Sequence, residues 1–260
     1  HDTDLVKIKR ELDKQSVPWE VVHWHDKNVD WARYAIAKVQ STWDYQDKIP
    51  DFRAWLSRCA TLTTLCNSLE IIQWNIDKRY LRDVQSAGIA VIPTSFVETE
   101  KDVSNCTLLG DDVIVKPAIS AGSNATGRYR CKRAEAEQQC RKILAGGRTV
   151  LVQPYLKEID SLGETGLVYI AGKYSHAIYK QANFGDIVQS HNGLYVEGVV
   201  REKTATDAEL ACGDKTMAFI TNKFQSAPLY ARIDMVTAAA GPVIMEVELL
   251  EPSLYLQFSE

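Results

Sequence analysis

Leu5, Ile8 and Leu12 recur at helical spacing in DTDLVKIKRELDKQ, with Asp2, Thr3 or Asp4 placed to cap the start, so the pattern predicts that a helix comes first. Val17 to His25 reads as a strand. A helix ahead of the first strand of an α/β unit implies an opening strand before His1, and a stop at Glu260 just after a dense acidic motif implies a further piece beyond it. Ala35 to Val39 is a short apolar strand that empties into the polar cluster Gln40, Ser41, Thr42, Trp43, Asp44 and Tyr45; ligands of open α/β sheets gather at such strand ends. Phe52, Trp55, Leu56 and Cys59 form a second helical stripe, and Leu62 to Leu69 resembles a short buried piece.

Ile92-Pro93 marks a boundary, because the residue before proline is driven out of the helical region. Beyond it, strand-like runs Asp112 to Pro117 and Thr149 to Gln153 flank a loop of small residues and a charged helix, Lys132 to Leu144, ending at Gly146-Gly147. A hairpin follows, Gly166 to Ile170 and Tyr174 to Tyr179, turning at Ala171-Gly172-Lys173. A helix around Asp207 to Phe224 then leads to a last hairpin, Leu229 to Val236 and Val243 to Leu250. The order predicts a mixed α/β chain in three parts, residues 1–92, 93–153 and 154–260.

With 260 residues, 45% apolar and 25% charged, the chain can bury a large core, which excludes disordered and collagenous classes. Thirty Lys and Arg against 34 Asp and Glu leave a net charge of −4 and no overall basic field, so no nucleic-acid partner is expected. No apolar run approaches the roughly 20 residues that span a bilayer, so no membrane partner is expected either. The six cysteines form no C-x-x-C pair and read as reduced thiols of a cytoplasmic protein.

Alternation in the last hairpin puts Tyr230, Arg232 and Asp234 on one side of their strand, and Glu246, Glu248 and Leu250 on one side of the next. A turn near Ala240 sets Asp234 opposite Glu246 and Arg232 opposite Glu248. Facing carboxylates repel by about 0.2 to 1 kcal/mol. A strand packed through Val243, Ile244, Met245, Val247 and Leu249, and also carrying Glu246, Glu248 and then Glu251, therefore needs cations. Oxygen-only ligands point to Mg²⁺, with Mn²⁺ as the alternative, and argue against zinc.

In VIVKPAISAGSNATGRY, Lys116 ends an apolar strand, and Ser120, Ala121, Gly122 and Ser123 follow as a loop without bulky side chains, open to close approach by a phosphate. It is not a Walker A loop. Lys78 in WNIDKRYL supplies a second cation before a helix.

The motifs N-x-D-K, V-K-P with its small-residue loop, Q-P-Y-L, R-x-D and E-x-E-x-x-E-P-S, in this order, resemble the ATP-grasp ligases. The resemblance is strongest to the glutathione-synthetase-like branch that includes the cyclo-ligases of D-cycloserine biosynthesis, and it covers about residues 30 to 256. It implies an ATP-grasp fold behind an N-terminal Rossmann-like lobe, with ATP as cosubstrate. Lys78 and Lys116 are then expected on ATP phosphates, Ser120 to Ser123 in the closing flap, Gln153, Pro154, Tyr155 and Leu156 in the hinge against adenine, and Glu164 near nucleotide or metal. Arg232 would neutralise the transferring phosphate, and Asp234, Glu246 and Glu248 would hold magnesium. Ser41, Thr42, Trp43, Asp44, Tyr45, His176 and Lys180 are the candidates for an amino-acid-like substrate. Such relatives pair through their first lobe, which implies a homodimer.

The chain departs from the pattern in places. Glu248 stands where many relatives carry Asn, Gly166 stands where a basic side chain is common, and Asp186-Ile187-Val188-Gln189 lacks the Arg of related cyclo-ligases. The resemblance implies an ADP-forming carboxylate-amine ligase working through an acyl phosphate, in trans or by closing a ring. The alternatives are an ATP-binding regulator or scaffold without turnover, and a phosphotransferase to a non-carboxylate acceptor. No covalent nucleophile is required, so His176 and His191 need no such role.

Overall fold

The computed structural model describes residues 2–122, 124–181 and 199–259. Helix α1 (Thr3–Lys14) is capped by Asp2, whose carboxylate accepts from Leu5 N at 3.0 Å. The stretch from Val17 to His25 is not a strand. Pro18 lacks an N–H for a ladder and no strand among the described residues lies alongside, so Val17, Trp19 and Val21 stay exposed while Trp24 turns inward. Strand β1 (Ile36–Lys38), a 3₁₀ turn (Trp43–Asp47), α2 (Ile49–Leu62) and β2 (Thr64–Cys66) follow. β1 and β2 pair in parallel, and the stripe read from α2 packs with Trp24, Trp31 and Tyr45 in an aromatic core.

After α3 (Leu69–Asn75), a 3₁₀ turn (Lys78–Tyr80) and α4 (Leu81–Ser86), the chain builds a four-stranded antiparallel sheet. Its elements are β3 (Ser95–Val97), α5 (Glu100–Asn105), β4 (Asp112–Pro117), β5 (Gly127–Arg130), α6 (Arg133–Ala145) and β6 (Val150–Pro154), in strand order β3-β6-β4-β5. Val113 and Val115 of β4 pack with Val150 and Val152 of β6 under Ala136, Cys140 and Ile143 of α6.

The remainder forms a five-stranded antiparallel sheet of order β11-β10-β7-β8-β9. It contains α7 (Glu158–Leu162), β7 (Glu164–Ile170), β8 (Lys173–Lys180), β9 (Val200–Lys203), α8 (Asp207–Phe224), β10 (Tyr230–Ala238) and β11 (Gly241–Glu248). β7 and β8 turn through Ala171 and Gly172, both left-handed (φ 49° and 77°), the tight turn that matches strand twist. β11 is at one edge, and its outer side is covered by side chains and a short bridge. The Asn75 amide donates to Val247 O at 2.7 Å and accepts from Leu249 N at 2.8 Å, Tyr80 Oη accepts from Val247 N at 2.8 Å, and Val91 bridges Ile244. At the other end, buried Asp4 accepts from Tyr255 N at 3.2 Å and Leu256 N at 2.8 Å, clamping the C-terminal segment to α1.

Glu209 ties α8 to its sheet. Its carboxylate accepts from Thr165 Oγ1 (2.8 Å), Lys203 Nζ (2.6 Å) and Thr206 N (2.9 Å), and closes a capping box. Burial pushes this carboxyl up, but those donors outweigh it and hold it at about 2 against an ordinary 4.5. A depressed folded-state value gives stability that is complete above the ordinary value and lost as pH falls from 4.5 toward 2. Glu209→Gln is therefore expected to cost about 2 to 4 kcal/mol near neutral pH. The variant should also flatten the acid limb of a urea-unfolding series.

All six cysteines are unpaired, as the sequence reading expected. Among the described residues, no helix is long and apolar enough to cross a membrane.

Candidate active site

The register of the β10–β11 hairpin is the one its alternation predicts, Arg232 opposite Glu248 and Asp234 opposite Glu246, with a bulge after Asp234. Arg232, 5% exposed, grips Asp234 bidentately (Nε–Oδ1 2.9 Å, Nη2–Oδ2 3.0 Å). Its Nη2 also donates to Glu248, and Nη1 donates to Ser253 O at 2.7 Å. Lys180, at the end of β8, reaches Asp234 at 2.8 Å and Glu164 at 2.9 Å. Gly166 lies opposite Asp234 on β7, and a Cβ there would stand 3.0 Å from Asp234 Oδ1. Ile178 Cγ1 would stand closer still, at 2.8 Å, so glycine leaves room for both Ile178 and the carboxylate.

The neighbouring lysines belong to the same cluster. Lys78 is held by the 3₁₀ turn that Asp77 caps, and its ammonium lies 3.0 Å from Glu246 and 2.7 Å from Ser120 O. Burial lowers the pKa of Lys116 at the end of β4, with Glu246 as the largest opposing charge. Burial resists ionisation of Asp234, yet Arg232 and Lys180 pull its carboxyl down to about 2. At Glu248 burial wins: with Asp234 and Glu246 adding their repulsion, its carboxyl is pushed up to about 7.

These groups line one cleft of about 590 Å³. Ser120, Ala121 and Gly122 form its lip, and Ala121 N donates to Gln46 Oε1 of the first lobe at 2.9 Å. Gln153, Pro154, Tyr155 and Leu156 line a less polar wall with Ile114, Ile159 and Met245. The Gln153 side chain turns away to Thr94 (2.9 Å), while Arg128 covers the Tyr155 ring at 3.3 Å. Glu164 lies in the cleft as well.

Trp43, Asp44 and Tyr45 reach the cleft too; Asp44 accepts from Trp24 Nε1 at 2.9 Å and Tyr45 is stacked on Phe52. Two candidates from the same cluster do not. Ser41 donates its hydroxyl to Asp2, and Thr42 opens the 3₁₀ turn with its hydroxyl buried and unpartnered among the described residues. His176 is also outside the cleft lining, where its Nε2 donates to Leu254 O at 2.9 Å and Nδ1 meets Ser175 Oγ, as suits a structural histidine. Lys180 is committed to the ion network. Ser123, His191 and the segment 186–189 lie outside the described residues.

Among the described residues, no three His, Cys, Asp or Glu side chains converge as a ready metal cage, because Arg232 and Lys78 hold the three hairpin carboxylates. The donor set nevertheless fits a hard divalent cation: oxygen only, from adjacent positions of two paired strands, in a place where each carboxylate already has a cationic partner. Asp2, Gln46 and Tyr255, to which the sequence assigns no role in the site, also lie on the cleft, as does Asn75, which the N-x-D-K motif includes without a role of its own. Their roles rest on pairings across most of the chain, such as Asn75 with Val247 and Leu249, which no local spacing announces.

Comparison with known proteins finds relatives along the whole chain. Residues 1–67 match the family described as D-cycloserine synthetase DcsG, N-terminal domain. The chain is 31% identical to the cycloserine biosynthesis protein DcsG of Streptomyces lavendulae, an alignment that spans all of this chain and 90% of the relative. The crystal structure of D-cycloserine synthetase DcsG superposes with a TM-score of 0.90 at 29% identity, over the whole chain and 90% of that structure. The D-alanine–D-alanine ligase of Bacillus anthracis complexed with ATP shares the fold at 15% identity (TM-score 0.55, 93% of this chain and 72% of that one). The same holds for a RimK-domain ATP-grasp protein of Sphaerobacter thermophilus at 17% identity (TM-score 0.58, 87% and 81%). On the full-length match, the chain belongs to the D-cycloserine synthetase family of ATP-grasp ligases, enzymes that spend ATP to form carbon–nitrogen bonds.

Proposed function

We propose that the protein phosphorylates the carboxylate of an amino-acid-like substrate and that a nitrogen of the same molecule then attacks the acyl phosphate to close a ring. The observation that carries the reading is the meeting of Arg232, Lys78, Lys116 and Lys180 with Asp234, Glu246 and Glu248 in one cleft. A carboxylate resists amines because its leaving oxygen is too basic, and phosphorylation converts that oxygen into phosphate. The carboxylate oxygen attacks the γ-phosphorus and ADP departs. The nitrogen then bonds to the carbonyl carbon, loses a proton, and inorganic phosphate leaves. The cycloserine for which the relative is named has a ring bond between carbonyl carbon and nitrogen, which favours the intramolecular attack.

In this reading Lys78, Lys116 and Arg232 face the charge spread over the phosphoryl oxygens, where fixed cations in a water-poor site act strongly. The backbone at Gln153 to Leu156 receives the adenine edge beside the apolar wall of Ile114, Ile159 and Met245. Ser120 to Gly122, small enough for phosphate to approach their backbone, shield the reactive intermediate from water. A magnesium ion held by Asp234, Glu246 and Glu248 would supply neutralisation of the phosphate charge. Trp43, Asp44 and Tyr45 border the substrate end.

The test is phosphate release from ATP and Mg²⁺ with a panel of amino acids and O-substituted serines, followed by mass spectrometry. A product lighter than its acid by one water supports ring closure. A stable phosphorylated product, or ATP bound without ADP release, overturns it.

A further inference from the structure

Glu251 follows the hairpin in LLEPS and lines the cleft, yet it is only 8% exposed and has no hydrogen bond or ion pair with any described residue. A carboxylate taken out of water without a cation is unfavourable, so its setting calls for one. The protein's nearby cations are committed elsewhere. Arg232 holds Asp234, Glu248 and Ser253 O; Lys78 holds Glu246 and Ser120 O. Lys38 donates to Gln40 and lies 4.3 Å over the Tyr230 ring. Burial, reinforced by Glu248, pushes the Glu251 carboxyl up to about 8 against the weaker pull of Lys78 and Arg232, neither of which bonds to it.

Glu251 shares the cleft lining with Trp43, Asp44 and Tyr45, the residues read above as bordering the substrate, and the Tyr45 hydroxyl feels Glu251 more than it feels Glu246 or Glu248. We propose that Glu251 receives the protonated amine of the substrate, so that the site selects a zwitterionic α-amino acid and turns away the same acid without its ammonium group. The inference rests on the carboxylate-activating reading above and adds the residue that determines which acid is taken.

The experiment measures ADP release by the full chain with two acids. One is the amino-oxy acid made by opening the ring of D-cycloserine; the other is 3-(aminooxy)propanoic acid, which keeps the carboxylate and the ring-closing nitrogen but lacks the α-ammonium. Wild type is expected to prefer the first by about 100-fold or more in kcat/KM. Glu251→Gln should cut that preference below about tenfold, through KM for the amino acid, with KM for ATP within about twofold, and Glu251→Asp should restore part of it. Retained preference in Glu251→Gln, or an equal loss with both acids, would overturn the assignment. If the glutamine variant does not fold, a wild type that uses both acids equally well overturns it. Absence of ADP release by wild type with every acid removes the underlying reading, whereas turnover with unchanged preference removes only Glu251.

Discussion

Replacing Arg232 with methionine is expected to lower kcat by about 10³-fold or more and to destabilise the fold by about 3 to 5 kcal/mol. The two effects have one origin. Arg232 is the guanidinium that allows Asp234 and Glu248 to sit together behind the surface, and it fastens Ser253 as well. Without it, Asp234 keeps only Lys180, and Glu248, already pushed up to about 7, loses its nearest cation. Lysine at this position would keep the charge but not the fork, so Arg232→Lys should recover more stability than turnover. Thermal unfolding together with single-turnover ADP formation separates the two.

Glu246→Gln carries the second large effect, a loss of about 10³-fold in kcat with little change in unfolding temperature. Glu246 is only partly buried, and the amide oxygen of glutamine can still accept from Lys78, so buried Lys78 keeps a hydrogen bond there in place of its ion pair. Lys78 retains Ser120 O. In the proposed chemistry the lost charge is one that magnesium and phosphate need, so the magnesium concentration for half-maximal rate should also rise. Activity retained at saturating magnesium would reject Glu246 as a metal ligand.

How much of this site could be seen in the sequence follows from the range of the interactions involved. The acidic hairpin was legible because strand period and apolar flanks are local: Ile244 and Val247 declare the packed face, and Glu246 and Glu248 beside Val247 declare the other. Helix α8 and strand β4 were legible for the same reason, a full period within a few residues. The short strands β3 and β5 were not, since Ser95 to Val97 and Gly127 to Arg130 are recruited by β6 and β4 rather than by their own pattern. Val17 to His25 failed in the opposite sense, with a strand-like composition and no neighbour to pair with. His176 looked available for substrate, but its partner at Leu254 comes from 78 residues away. That Glu251 lacks a partner is a property of the packed molecule and leaves no trace in local spacing.

Transfer of a phosphoryl group to the substrate carboxylate is the central step, and oxygen isotope tracing tests it directly. Turnover of an acid labelled with ¹⁸O in its carboxylate is predicted to place one labelled oxygen in each inorganic phosphate released, read by mass spectrometry or by the isotope shift in ³¹P resonance. Unlabelled phosphate accompanying product, or label found in AMP, would contradict it.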